Sequence, residues 1–265
     1  MRRLVSSAFA ATVAVFARRV VVVAFILLAV VFAAAGAQAA TPLRRPLSFL
    51  PAASVLVVTP GAANVVERVM QVSPYLAPQA DTLTAHSARA FRRLAARQPD
   101  LARCSADTLA RLFLVTGEAH IAAALDRERL RRDSLLSAHP TDRAAAQALL
   151  NTLGWVAASE GTDLYVNLPV DCMINVATPA LRCTVDQIRE MGRVKYRLSG
   201  FPAHGSALRL HLRLPAGVEP DQVFLNGRRL LAPQIERGYL VVDRAWRNNE
   251  ELYYDLPERK QLFVE

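Results

Sequence analysis

A short helical-hairpin region followed by an antiparallel β-sandwich, an α+β fold, is what the hydrophobic patterning of this chain predicts. Apolar residues recur at three- and four-residue intervals between Leu83 and Trp155, and at every second position after Gly161. That switch of period is the switch from helix to strand. Ahead of both lies an uncharged apolar run, Val20 to Ala39, so the fold class includes a signal or transmembrane segment in front of the globular part.

The run follows Arg18 and Arg19 and ends in the small-x-small sequence Ala37-Gln38-Ala39. As a signal peptide it would be cleaved before Ala40; as an anchor it has the length that a bilayer core requires. Arginines on its N-terminal side place that end in the cytoplasm in either case. The body of the protein is therefore expected outside the cytoplasm: exported to the periplasm, secreted, or held by a single membrane pass. Residues 1–39 form this segment and 40–82 a linker, in which Pro42, Pro46, Pro51 and Pro60 interrupt any long helix. Within the linker, Val55–Val58 suits a short strand and Ala62–Gln71 a short helix.

Residues 83–158 make the helical region. The first helix starts at Leu83 with Ala88, Phe91, Leu94 and Ala95 on one face, and stops at Pro99. The second spans Leu101–Val115 with Thr116-Gly117 as its stop, the third Ala119–Leu136, and the fourth Thr141–Trp155, with Asp142 near its start. Residues 161–265 make the sandwich. Strands are expected at Leu164–Leu168, Met173–Val176, Leu181–Asp186, Arg193–Ser199, Leu208–Leu214, Gln222–Leu225, Tyr239–Asp243 and Glu251–Leu256, a spacing typical of sandwiches. Asn226-Gly227 is a type I′ hairpin turn, because both residues tolerate positive φ.

Charge and cysteine content narrow the function. The formal charge is +9, but the four arginines of the leader supply part of it and removing them leaves +5. The basic residues between Arg89 and Arg143 are interleaved with Asp100, Asp107, Glu118, Asp126, Glu128 and Asp133, the pattern of a solvated helix face, and no nucleic-acid partner is expected. Cys104, Cys172 and Cys183 contain no C-x-x-C pair, which excludes a finger-type zinc site. Cys172 and Cys183 fall on neighbouring strands, so one disulfide with Cys104 left over and three buried thiols are both open.

Several short motifs occur in a fixed order: Leu208-Arg209-Leu210-His211-Leu212-Arg213-Leu214-Pro215, Val223-Phe224-Leu225-Asn226-Gly227, Gly238-Tyr239 through Asp243-Arg244-Ala245-Trp246, and Leu252 to Pro257. Together they resemble the sandwich of glycoside hydrolase family 127, the β-L-arabinofuranosidase-like family. Leu153–Leu168 is similar to the family's passage from barrel to sandwich, and Leu109–Asp126 to one of its barrel helix pairs. The resemblance implies that the helices are a remnant of an (α/α) barrel. In the family a zinc-held cysteine thiolate is the nucleophile and a glutamate the acid and base.

The catalytic motifs depart from that pattern. The family's Cys-Cys-Pro falls on Ser137-Ala138-His139-Pro140, which has no thiol, and its Glu-Thr-Cys falls on Ala102-Arg103-Cys104. The resemblance thus leaves Cys104 and His139 as metal-ligand candidates, with zinc as the cofactor if the protein is active; His139 also suits a plain helix boundary before Pro140. Glu250 and Glu251 point to opposite faces of one strand and cannot flank a bond. Ser206, His204 and His211 form no evident serine–acid set. Tyr239, Trp246 and Tyr254 are the carbohydrate-contact candidates, with sandwich core as the other reading of their alternating positions. The expectation is an exported glycoside-hydrolase-like protein, a non-catalytic remnant that binds carbohydrate. The alternatives are an active zinc-dependent hydrolase with a rebuilt site, or an envelope module that meets a partner or a second copy through its helices, with Leu112 and Phe113 in that contact.

Overall fold

Four helices form where capping side chains and apolar stripes coincide. The computed structural model describes residues 43, 45–50, 55–56 (backbone only), 83–139 and 141–257. Helix α1 (Ala85–Ala96) starts at Thr84, whose hydroxyl accepts from Ser87 N. The single helix expected over Leu101–Val115 is instead a 3-10 turn, Leu101–Arg103, capped by Asp100, and then α2 (Ala106–Thr116), capped by Ser105. Two capping residues five positions apart each stop the chain from running on as one helix. Gly117 ends α2 in the left-handed conformation with its N–H on Phe113 O. Helix α3 covers Ala119–Ala138, and α4, Arg143–Leu150, is capped by Asp142 through Ala144 N and Ala145 N before a 3-10 turn runs to Trp155.

Thirteen strands are described, in two sheets. One sheet has the order β1 (Ser48–Phe49), β3 (Ala157–Glu160), β4 (Asp163–Val166), β8 (Ser206–Leu212), β12 (Tyr239–Trp246), β11 (Gln234–Glu236). The other runs β10 (Arg228–Arg229), β9 (Phe224–Leu225), β13 (Glu250–Asp255), β7 (Arg193–Ser199), β6 (Arg182–Glu190), β5 (Cys172–Ala177), β2 (Val55–Leu56). The sandwich is antiparallel except for β4 and β8, which pair in parallel with Tyr165 opposite His211. Strand β3 falls partly in the span read as helical. Its sequence Ala-Ala-Ser-Glu has no strand propensity, and pairing to both β1 and β4 decides its state. Strand β11 has no counterpart in the sequence reading. The helix read at 62–71 and the leader at 1–39 lie outside the described residues; among the described ones, no helix is long and apolar enough to cross a membrane.

The two faces of the six-stranded sheet do different work. Leu164, Val166, Leu208, Leu210, Leu212 and Leu240 are buried against the second sheet, where Val185, Tyr196, Leu198, Leu252 and Tyr254 meet them. The other face carries Tyr165, His211 and Tyr239, and the helices cover it. Phe113 of α2 stacks on Phe49 at 5.7 Å and sets its edge on Tyr165 at 6.4 Å. Residues 42–265 form one compact unit with this shared core. Leu112 and Phe113 have no exposed surface within it, so they are packing residues and cannot serve as a contact for a second copy.

The disulfide reading is overturned by register. Cys172 lies opposite Gln187 and Cys183 opposite Val176, an offset of four residues along the β5–β6 ladder. At about 3.4 Å per residue that separation is about twice the Cα distance a disulfide tolerates. All three cysteines are free. Burial pushes the thiols of Cys172 and Cys183 up to about 12.

Candidate functional site

A cluster of bonded polar side chains lies where the helix-covered face of the six-stranded sheet reaches its margin. The parallel β4–β8 register brings Asp163 beside Arg209 and Tyr165 beside His211. His211 Nε2 donates to Asp163 Oδ1 at 2.6 Å, and its ring lies flat on Tyr165, with centroids 4.0 Å apart and planes 9° apart. Tyr239 closes the histidine from the side, edge-on at 6.3 Å. His211 is 2% exposed, and its Nδ1 is buried with no hydrogen-bond partner among the described residues. A sheet strand can hold an imidazole there because the ring is sandwiched by aromatics and one nitrogen is satisfied by a carboxylate.

Arg209 ties the cluster to β11. Its guanidinium bonds Glu236 and stands 3.8 Å from Asp163, and the three side chains keep 33%, 39% and 29% of their surface. Tyr165 hydrogen-bonds Arg237, at the turn between β11 and β12. Burial first, and the Asp163 charge second, push the Tyr165 phenol up to about 12. Ala119 N, at the start of α3, donates to Arg237 O at 2.8 Å, so the helix layer is fastened to the same turn. Gly238 lets it approach: at φ +78° a Cβ here would sit 3.0 Å from that of Ala119.

Behind the cluster a buried chain of bonds joins helix to sheet. Tyr239 OH donates to Asn167 Oδ1 at 2.7 Å, and Asn167 Nδ2 donates to Trp155 O at 3.0 Å. Arg213 donates to Asn167 O and, at 2.7 Å, to Asp126 of α3, which also accepts from Arg129. The arrangement offers fixed donors and acceptors at its rim, Asp163, Arg209 and Glu236, suited to hydroxyl-rich ligands. None of the three cysteines lies on the strands that build it.

Of the residues singled out from sequence, Tyr239 borders this cluster from within the core and the others lie elsewhere. Tyr239, Trp246 and Tyr254 are fully buried. Tyr239 is bonded to Asn167, Trp246 Nε1 donates to Leu208 O at 3.0 Å, and Tyr254 OH meets Tyr196 OH at 3.2 Å. A ring with no free face cannot stack on a sugar, so the core reading replaces the carbohydrate-contact reading for all three. Cys104, half-buried, directs its Sγ to Asp100 O at 3.5 Å. His139 is the exposed C-cap of α3. Among the described residues no group of three His, Cys, Asp or Glu side chains is placed to hold a metal. The Asp163–His211 pair escaped the sequence reading because its partners are 48 residues apart and meet only through a parallel pairing.

Residues 163–258 match the family model described as the β-L-arabinofuranosidase GH127 middle domain. Over those residues the sandwich is similar to that domain. The chain is likewise similar to three solved structures: the GH127 β-arabinofuranosidase BT3674 (16% identity, TM-score 0.47), a GH127 β-L-arabinofuranosidase from Geobacillus stearothermophilus T6 (15%, 0.48) and a glycoside hydrolase (15%, 0.47). Each similarity covers 57% of this chain but only 30–31% of the other, so the chain accounts for less than a third of their length. No curated protein matches by sequence. The GH127 match includes Asp163, Arg209, His211 and Glu236, and leaves the helices at 83–150 outside it.

Proposed function

We propose that the protein is an exported glycoside-hydrolase-like module that binds carbohydrate without hydrolysing it. The observation that carries this reading is the match of the sandwich to the GH127 middle domain, set beside Ser137-Ala138-His139 where the resemblance places the family's cysteine nucleophile. Ser137 is spent within its own helix, its hydroxyl donating to Asp133 O at 2.8 Å. Sugar hydroxyls would be met at the rim formed by Asp163, Arg209 and Glu236, by hydrogen bonds to charged groups.

The experiment is paired. Residues 40–265 are offered a panel of aryl pentofuranosides and pyranosides with added zinc and again with chelator, and the same protein is titrated calorimetrically with arabinose-containing oligosaccharides. Heat of binding without aryl release, abolished by Arg209→Ala, is the expected result. Zinc-dependent release from a β-L-arabinofuranoside would replace this reading with the active-hydrolase one and make Cys104 and His139 the first residues to change.

An envelope interaction module is the second reading, favoured by one observation: Leu130 and Leu135 of α3 are 50% and 42% exposed. Oligomers that Leu130→Glu dissociates would support it.

A further inference from the structure

One helix of this protein carries a surface that the rest of the described residues do not neutralise. Between Leu83 and Pro99 there are four arginines and no aspartate or glutamate. Ala88 of α1 is buried, and Phe91, Leu94 and Ala95 pack against the core. Arg92 turns inward to donate to Leu43 O at 3.2 Å. Arg89, Arg93 and Arg97 fall at i, i+4 and i+8, one stripe on the opposite side, all exposed, with His86 at its head.

The acidic residues that alternate with arginine in the sequence do not serve this stripe. Asp100 pairs with Arg103, Asp107 with Arg111, Glu118 with His120, Asp126 with Arg129 and Arg213, and Glu128 with Arg131 and Arg132. Among the described residues none of Arg89, Arg93 or Arg97 has an ion-pair or hydrogen-bond partner through its side chain. Three aligned guanidinium groups about 6 Å apart along the axis form a concentrated positive edge.

We infer that this stripe docks on the anionic headgroups of a membrane. Charge complementarity requires an anionic partner, and the sequence says where one would be. The apolar run ends at Ala39, four residues before Leu43, and Leu43 O is bonded to Arg92 of the same helix. Four extended residues reach about 13 Å, so a bilayer that held the run would lie within that distance of α1. The apolar face of α1 is turned into the protein core, so contact is by charge alone and falls with salt. The docking does not depend on the leader being kept; a retained leader would add a tether and raise the local concentration.

The test is co-sedimentation of residues 40–265, which include the whole compact unit and its core, with vesicles of phosphatidylglycerol in phosphatidylcholine and of phosphatidylcholine alone. Binding to the anionic vesicles only, at low salt, is expected. The triple variant Arg89→Gln, Arg93→Gln, Arg97→Gln should weaken partitioning about 100-fold, three charges each worth about five-fold near an anionic surface. It removes no side-chain bond among the described residues and should melt with the parent protein. A charge-matched control, Arg182→Gln, Arg228→Gln and Arg247→Gln on exposed sandwich positions, should partition as the parent does. Equal binding to both vesicle types, or equal loss in the control, would overturn the assignment. Binding of an oligonucleotide or a sulfated polysaccharide without any vesicle binding would overturn it in favour of a soluble polyanion.

Discussion

Asp126→Asn is the substitution that tests how the helices are joined to the sandwich. Asp126 accepts two bonds from Arg129, at 3.0 and 2.9 Å, and one from Arg213 at 2.7 Å. The three side chains are 14%, 12% and 10% exposed. Arg213 in turn holds Asn167 O, and Asn167 holds Tyr239 and Trp155. Asparagine keeps the shape and removes the charge, so two nearly buried guanidinium groups lose their counter-ion. Breaking a fully buried pair from one side costs about 3–5 kcal/mol, and the residual exposure here brings the figure to about 3 kcal/mol. With a urea slope of about 2–3 kcal/mol/M for a unit of this size, the midpoint should fall by about 1 M. Arg213→Met in the same background completes a double-mutant cycle, and a coupling of about 1–2 kcal/mol is expected because the two side chains share one bond network. A midpoint shift below about 0.3 M, which is under ~1 kcal/mol, or strict additivity of the two substitutions, would refute the joint.

The remaining predictions concern packing, thiols and one turn. Phe113→Glu, at a side chain with no exposed surface in contact with Phe49 and Tyr165, should abolish folding by circular dichroism; Leu130→Glu, half exposed, should move stability by no more than about 0.5 kcal/mol. In native buffer a thiol reagent should label Cys104 and spare Cys172 and Cys183, all three should label in denaturant, and reductant should leave the melting temperature unchanged because no disulfide exists. Because folding raises the two buried thiols to about 12, the stability they contribute is fully present below the ordinary cysteine range and is lost as pH climbs through that range toward 12; Tyr165, also raised to about 12, acts in the same direction above pH ~10. A urea series at rising pH checks the sign. Gly238→Ala should cost about 2–3 kcal/mol, since it combines positive φ with a 3.0 Å approach to Ala119, whereas Gly161→Ala, with the same sign of φ and open space, should cost about 1 kcal/mol.

Where local chemistry decides the structure, the sequence was legible. Asn226-Gly227 sits at φ +50° and +77° between Leu225 and Arg228, as a two-residue type I′ turn requires. The strand at Arg193–Ser199 and the caps at Asp142 and Gly117 were readable for the same reason: a period or a capping residue carries them. Where long-range pairing decides, it was not. Arg237-Gly238 makes the same kind of tight turn, at φ +50° and +78°, without an Asn or Asp to announce it, and β11 was missed with it. Strand β3 was not expected: the fourth helix ends at Trp155 and the helical region was drawn on to residue 158, and only the pairing of Ala157 and Ala158 on both sides makes them strand. The polar cluster belongs to this second class, since Asp163, His211 and Glu236 come from three strands that are distant in sequence.

The placement of the family motifs explains why the resemblance carried the fold further than the chemistry. Leu208, Leu210 and Leu212 are fully buried in the sandwich, Val223 and Leu252 likewise, and Asn226-Gly227 is a turn. Gly238 is where α3 touches the sheet, Tyr239 is the inner hydrogen-bond partner of Asn167, and Trp246 is pinned to Leu208 O. Each of these residues is constrained by packing or backbone geometry, so a match built on them reports how the strands fit together. It is silent on reaction chemistry, because none of them presents a reactive atom to solvent. The rim residues Asp163, Arg209 and Glu236, within the same matched segment, keep their charged groups accessible beside the helix-covered face. Function is therefore to be sought at the seam between helices and sheet, where the chain's own bonding leaves polar surface uncovered, and Arg209→Ala is the substitution that separates a binding role there from a purely structural one: loss of oligosaccharide binding with an unchanged urea midpoint supports binding, and parallel loss of both assigns the cluster to stability.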